Sequence, residues 1–296
     1  MSKSSDANPR VDQHKLLVKS KDTGQSGIFA EVSAAQAGWD FLNLAALRLF
    51  SGQTYQGSVG DHEHISLLLG GKCVLTVEGE RFALGERPDV FSGMPHAFYL
   101  PRGKHFEIEA VSQQLEIVSC WVPTDQDFPI SIIRPEQCAV ELRGGGNASR
   151  QINSILPPGS ACHRLVCVEV YTPSGNWSSY PPHKHDEHRV DEQGNILEAD
   201  LEEIYFYKLS HPQGMAYQRV YTADGRLDEL CLARNHDLVL VPEGYHPVVS
   251  GHGYHTYYAN FLAGSAQSLA NSDDPEHAWV KEHWSELDPR LPLVKL

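Results

Sequence analysis

The chain has 296 residues and a formal net charge of -14, long enough for two ordinary domains that each bury a core. So acidic a surface would repel phosphates, which argues against nucleic acid or an anionic membrane as a partner. The opening Met1-Ser2-Lys3-Ser4-Ser5-Asp6 has no apolar core for a secretory signal, and no later apolar run approaches the ~20 residues of a membrane-spanning helix, so a cytoplasmic protein is expected.

Residues 31–47 accommodate one short helix, and long amphipathic helices are not evident. Residues 65–69 and 73–77, joined by Gly70-Gly71, read as a hairpin, and Glu78-Gly79 turns into a further strand at 81–84. Residues 165–171 form another strand. Cys162, His163 and Cys167 beside it are taken as structural, because no Cys-x-x-Cys pair accompanies them. The remaining cysteines (Cys73, Cys120, Cys138, Cys231) are dispersed along a long chain, which points to reduced thiols rather than a disulfide framework. Residues 204–207 turn through His211-Pro212-Gln213-Gly214 into 217–221 in the same style. β-Branched and aromatic residues punctuated by Gly, Pro, Asn and Asp predict an all-β protein of sandwich or barrel type.

A faint repeat runs through this pattern. Leu100-Pro101-Arg102-Gly103-Lys104-His105 matches Val241-Pro242-Glu243-Gly244-Tyr245-His246, each late in its own half. Duplication of a barrel would explain this. The glycine-rich segment Arg143-Gly144-Gly145-Gly146-Asn147-Ala148 marks the boundary, dividing the chain into domains 1–146 and 147–296.

The second half carries the chemistry. In His183-Lys184-His185 the two imidazoles point the same way if the segment is a strand. A carboxylate from the adjacent Glu202 and Glu203, which face opposite sides of the next strand, and His246 after a Pro-x-Gly turn complete a three-nitrogen, one-oxygen set. Such a set holds a divalent transition metal with positions open to water or substrate. Zinc and manganese lead, with iron and nickel as alternatives. Between His185 and Glu203 lie residues 186–202, an acidic insertion with Gly194-Asn195 as a hairpin tip, either a lid or an inert loop.

With these segments placed, the chain resembles a bicupin, two tandem jelly-roll cupin barrels. More specifically it resembles the 5-deoxy-glucuronate isomerase family of inositol catabolism, related to the 4-deoxy-threo-hexulosuronate ketol-isomerases of pectin breakdown. The resemblance rests on residues 172–186, 201–208, 218–222 and 239–248, with 89–91 and 99–101 in the first half. It implies an aldose–ketose isomerase converting 5-deoxy-glucuronate to 2-deoxy-5-keto-gluconate, with the metal in the second cupin. The related ketol-isomerases place the carboxylate ligand just before an apolar-Tyr-aromatic-Tyr strand, which selects Glu203 as the partner of His183, His185 and His246. Catalysis would polarise the carbonyl and neighbouring hydroxyl while a base moves the proton. Tyr205, Tyr207, Lys184 and Glu202 stand as bases or relays, and Arg219 as a clamp for the sugar carboxylate or a solvent-facing strand arginine.

In the first half, His62, His64 and His105 offer a second set. His64 falls in the carboxylate slot before Gly70-Gly71, and Gly57-Ser58-Val59 stands where a His-x-His should be, so the first barrel is expected to be metal-free. The expected partner is a small deoxy-uronate, with self-association through barrel faces. The rival readings are a cupin dioxygenase, which needs redox-active iron, and a non-enzymatic sugar-binding bicupin.

Overall fold

The computed structural model describes residues 16–296, so the N-terminal segment read above for a secretory signal lies outside the described residues. Strands dominate, and the predicted short helix is Ala34–Ala37, capped by the Ser33 side chain. They form two sandwiches, each a large sheet facing a four-stranded one, rather than closed barrels. In the first, Ser131–Ile133, Ala97–Leu100, His62–Gly70, Gln114–Pro123, Asn43–Phe50 and Gly27–Val32 lie side by side in that order. They face the sheet Thr54–Ser58, His105–Ala110, Cys73–Val77 and Glu80–Leu84.

The second sandwich repeats the plan. Its large sheet runs Leu17–Val18, Leu238–Val241, Ile196–Leu209, Thr256–Gly264, Val166–Thr172, Arg150–Leu156 and Ala139–Arg143. Its small sheet is Trp177–Ser178, Val248–Ser250, Ala216–Tyr221 and Asp228–Ala233. The strands Leu17–Val18 and Ala139–Arg143 both precede the glycine segment at 143–148, yet both pair within this second sheet.

Two expected hairpins prove to be corners. His62–Gly70 pairs with Gln114–Pro123 and Ala97–Leu100, whereas Cys73–Val77 pairs with Glu80–Leu84 and His105–Ala110, so Gly70-Gly71 carries the chain from one sheet to the other. Gly71 has φ +95, and a Cβ there would sit 2.3 Å from Gln114 O, so no side chain fits this corner. Likewise Ile196–Leu209 and Ala216–Tyr221 belong to facing sheets. The local pattern of strand, turn, strand is the same for a hairpin and for a jelly-roll corner. Only the pairing partners, distant in sequence, separate them. The turn at Glu78-Gly79 is a true hairpin.

Each sandwich has its own interior. Leu47, Leu49, Leu68, Leu75, Phe98 and Ile117 fill the first, and Ile152, Val168, Tyr205, Tyr207, Val239 and Tyr258 the second. The outer faces of the two large sheets pack against each other through one continuous core that includes Leu44, Ile65, Val118, Cys120, Cys167, Phe206 and Phe261. A strand buried on both faces carries apolar residues on both, which is why Leu67 to Leu69 does not alternate.

Two carboxylates lock this interface reciprocally. Glu63 of the first sandwich accepts from the backbone N–H groups of His163, Arg164 and Leu165, which lead into Val166–Thr172. Glu202 of the second accepts from those of Asp40, Phe41 and Leu42, which lead into Asn43–Phe50. A buried ion pair adds to them, with Arg87 donating to both oxygens of Glu169 at 3.1 and 3.0 Å.

Candidate metal centre

The second sandwich gathers its ligand-type side chains on three elements. His185 lies between the short strand His183–Lys184 and the hairpin arm Asp186–Val190, Glu203 on Ile196–Leu209, and His246 in the turn after Leu238–Val241. Ligand atoms of His185, Glu203 and His246 all lie within 4.8 Å of one another, and all three residues are buried. His185 Nε2 is 3.0 Å from Glu203 Oε2 and His246 Nε2 is 3.2 Å from it. His183 stands just outside this group, its ring centroid 5.0 Å from that of His246.

The imidazoles are oriented by the backbone. His185 Nδ1 is 3.1 Å from Leu201 O, His246 Nδ1 is 2.8 Å from Gly244 O, and His183 Nδ1 is 3.4 Å from Pro181 O. A carbonyl oxygen only accepts, so each of these contacts calls for a proton on Nδ1 and leaves Nε2 facing away from that carbonyl, as a metal ligand would. His246 Nε2 is buried with no well-aligned hydrogen-bond partner. Asn260 Nδ2 donates to Glu203 Oε1 and fixes the carboxylate from the other side. Burial would raise the Glu203 carboxyl, but the His185 and His246 imidazoles beside it outweigh it and hold the group well below the usual carboxylate range. Burial drives His183 the other way, well below its ordinary value, with the neighbouring histidines adding to the effect. Three imidazole nitrogens and a carboxylate are the donor set of a divalent transition-metal site, and these residues fit one.

Asp186, next to His185, accepts from Gly244 N at 2.8 Å and so ties the two histidine segments together. The insertion forms the predicted hairpin, with its tip closed by Asp191 accepting from Gln193 and Asn195. Its base is fastened by Glu198, whose carboxylate accepts from Lys184 at 2.9 Å and Arg189 at 2.7 Å.

The expected catalytic residues divide. Tyr205 shares the Glu203 face of its strand, is buried, and its ring centroid lies 6.1 Å from that of His246. Tyr207 sits one step deeper, its hydroxyl donating to Gln218 Oε1 at 2.8 Å. Three expectations are corrected. Glu202 points away from the cluster and holds the backbone of residues 40–42, because neighbours on a strand face opposite sides. Lys184 likewise turns from the histidines flanking it and pairs with Asp186 and Glu198, which raise its pKa against the opposing effect of burial. Arg219 takes the solvent-facing alternative, bidentate to Asp228 at 2.8 and 2.9 Å on an exposed strand face.

Sequence reasoning missed Asn260, which donates to Glu203, and the hydroxyls of Ser178, Ser179 and Tyr258, which run on from Tyr205. A polar Asn within the otherwise apolar strand Thr256–Gly264 was the one available signal.

In the first sandwich His64 pairs with Leu100 as Glu203 pairs with Val241, so it stands in the carboxylate position. Its ring packs among Phe98, Phe106 and Trp121 with Nε2 2.7 Å from Ser66 Oγ, and burial lowers its pKa to about 3. His105 is exposed. Among the described residues, the cluster at His185, Glu203 and His246 is the one group of metal-type side chains so close together.

Two back-to-back jelly rolls, with a His–Glu cluster of metal-binding type in the second, define a bicupin. The chain belongs to the KduI/IolB family, whose model matches residues 16–280. It is 38% identical over 270 residues to the 5-deoxy-glucuronate isomerase of Geobacillus thermodenitrificans (strain NG80-2), covering 90% of this chain and 96% of that one. The enzyme of the same name from Bacillus subtilis (strain 168) is 36% identical over 255 residues, 85% of this chain and 92% of the other. An IolB-like protein from Salmonella typhimurium LT2 superposes with a TM-score of 0.84 at 34% identity, covering 90% and 99% of the two chains. Oxalate decarboxylase shares the fold alone, with a TM-score of 0.59 at 14% identity over 88% of this chain and 80% of that one.

Proposed function

We propose that this chain is a 5-deoxy-glucuronate isomerase, converting that aldose to 2-deoxy-5-keto-gluconate at the second sandwich. Family membership and relatives of that name over most of the chain support the reaction. The observation that carries the site is the convergence of His185, Glu203 and His246, with every neighbouring imidazole presenting Nε2. These three residues, with His183 as the fourth, would hold a divalent metal, zinc or manganese ahead of iron or nickel. Such an ion supplies Lewis acidity toward the substrate carbonyl and its neighbouring hydroxyl.

The remaining work falls to the chain's own groups. Asn260 keeps the Glu203 carboxylate in place. Burial holds the Tyr205 phenol far above its ordinary pKa, so it stays protonated and acts as a donor rather than a base. Its hydroxyl is 3.4 Å from Ser179 Oγ, which is 3.4 Å from the Tyr258 hydroxyl, itself donating to Ser178 Oγ at 2.9 Å. This run of hydroxyls is the relay we assign to the proton that leaves one sugar oxygen and returns to the other.

No helix among the described residues is long and apolar enough to cross a membrane, which agrees with a cytoplasmic enzyme acting on a free sugar acid. The two-cupin division at 146 belongs to the same reading, with Leu17–Val18 and Ala139–Arg143 as strands lent to the second unit.

The test is elemental analysis of the purified protein together with an anaerobic isomerisation assay. One transition-metal equivalent that is lost in His185→Ala together with turnover supports the reading. Full turnover by rigorously metal-free protein would sink the metal assignment, and turnover that requires oxygen would favour a dioxygenase.

A further inference from the structure

One charged side chain inside the second sandwich lacks a partner among the described residues. Strand Arg150–Leu156 sends Ile152 into the interior beside Tyr205, Tyr207 and Tyr258. Gln151 and Asn153 face the other way, donating to Val294 O and Glu169 Oε1, both at 3.0 Å. Alternation therefore directs Arg150 to the interior side, with Ile152. It is 5% exposed, and its Nη1 is enclosed without an acceptor. Beside this strand Thr172 Oγ1 is also buried and unsatisfied.

The contrast with the other deeply buried arginines is direct. Arg48 grips Asp22 and Glu116, and Arg87 grips Glu169. Arg150 is buried as deeply and has no carboxylate partner among the described residues. An unpaired guanidinium in an interior is costly unless a ligand neutralises it. Ile152, two residues along on the same strand face, packs in one cluster with Tyr205 and Tyr258, and the Tyr205 ring centroid is 6.1 Å from that of His246, so Arg150 faces the interior onto which the metal-type cluster opens.

We propose that Arg150 binds the carboxylate of the deoxy-uronate, gripping the far end of the substrate while its aldehyde end lies at the His185–Glu203–His246 cluster. The assignment rests on the isomerase reading above and replaces Arg219 in the role expected from sequence. Isomerisation moves hydrogen between the aldehyde carbon and its neighbour and leaves the carboxylate unchanged. A bond to that carboxylate therefore holds ground state and transition state alike, and appears in KM more than in kcat. A planar guanidinium pairs both carboxylate oxygens at once, which would make Arg150 the group that selects uronates over neutral deoxy-sugars.

The experiment compares wild type, Arg150→Met and Arg150→Lys on 5-deoxy-glucuronate and on 5-deoxy-glucose, which carries a hydroxymethyl group in place of the carboxylate. Arg150→Met should raise KM for the uronate about 100-fold and change kcat less than about tenfold. Its metal content should be unchanged, and it should treat the neutral sugar no worse than wild type does. Arg150→Lys should recover part of the loss. Without substrate, the Met variant should melt no lower than wild type, since an uncompensated charge has been removed, and added uronate should raise only the wild-type Tm. An unchanged KM for the uronate, or a lower Tm with equal losses on both sugars, would overturn the assignment. Wild-type protein inert toward 5-deoxy-glucuronate would overturn the isomerase reading and this inference together, a result seen before any variant is made.

Discussion

Glu202 and Glu203 are chemically identical neighbours with unrelated tasks. Glu203 faces two imidazoles and Asn260, whereas Glu202 faces the backbone of the other sandwich. Glu203→Gln should strip most of the metal, since a neutral amide is a poor ligand. Glu202→Gln should keep the metal yet lose about 1–3 kcal/mol of stability, because the N–H groups of residues 40–42 lose a charged acceptor. Metal analysis and urea titration of both variants would separate them, and depletion in the Glu202 variant alone would reverse the strand faces assigned above. His64 gives a pH test. Its folded pKa of about 3 lies below the ordinary 6.5, so between those values the unfolded chain binds a proton that the native state refuses. Stability should therefore be full above about pH 6.5 and fall with pH toward 3, by at most about 1.4 kcal/mol per pH unit. His64→Gln cannot titrate, and its urea midpoints at pH 7 and pH 5 should differ less than those of wild type.

Among the elements, the turn bearing His246 is the most exacting. Gly244 has φ +83, and a Cβ there would sit 2.4 Å from Tyr221 O. Gly244→Ala must both strain the backbone and push the turn off Tyr221, costing about 2 kcal/mol or more. Because Gly244 O also orients His246 Nδ1, metal content should fall along with Tm. A variant with wild-type metal content would show that the turn tolerates displacement without moving its histidine. The insertion hairpin is not a free loop at its base. Glu198 fastens it to Lys184, between the two histidines of the motif, so the hairpin contributes to holding the ligand strand.

At the scale of the molecule, the two sandwiches are held by an apolar interface sealed with buried charge. Arg87 and Glu169 are 1% and 0% exposed as side chains, and Tyr171 and Tyr257 also donate to Glu169. Arg87→Met leaves an unpaired carboxylate there and should cost about 3–5 kcal/mol. Pairing it with Glu169→Gln should recover much of that loss, because the second change removes the stranded charge. Calorimetry of the two single variants and the double variant measures the coupling, and strictly additive losses would deny it. The reciprocal contacts of Glu63 and Glu202 place equivalent carboxylates on equivalent strands, as duplication of one unit would leave them.

The strand content, the duplication and the residue types of the His–Glu cluster were legible in the chain because each is written locally. Alternation aims His183 and His185 together, a Pro-x-Gly turn precedes His246, and the two Pro-Arg/Glu-Gly motifs align the halves. What needed the tertiary structure was every choice made by distant partners. Gly70-Gly71 is a corner rather than a hairpin because its flanking strands find partners in separate sheets. Arg219 and Arg150 are both strand arginines, and only the assembled sheets show that one meets Asp228 in solvent while the other is enclosed with no carboxylate partner among the described residues. Sequence periodicity tells which residues share a face. It does not tell which face becomes an interior, because that is decided by burial against segments far along the chain.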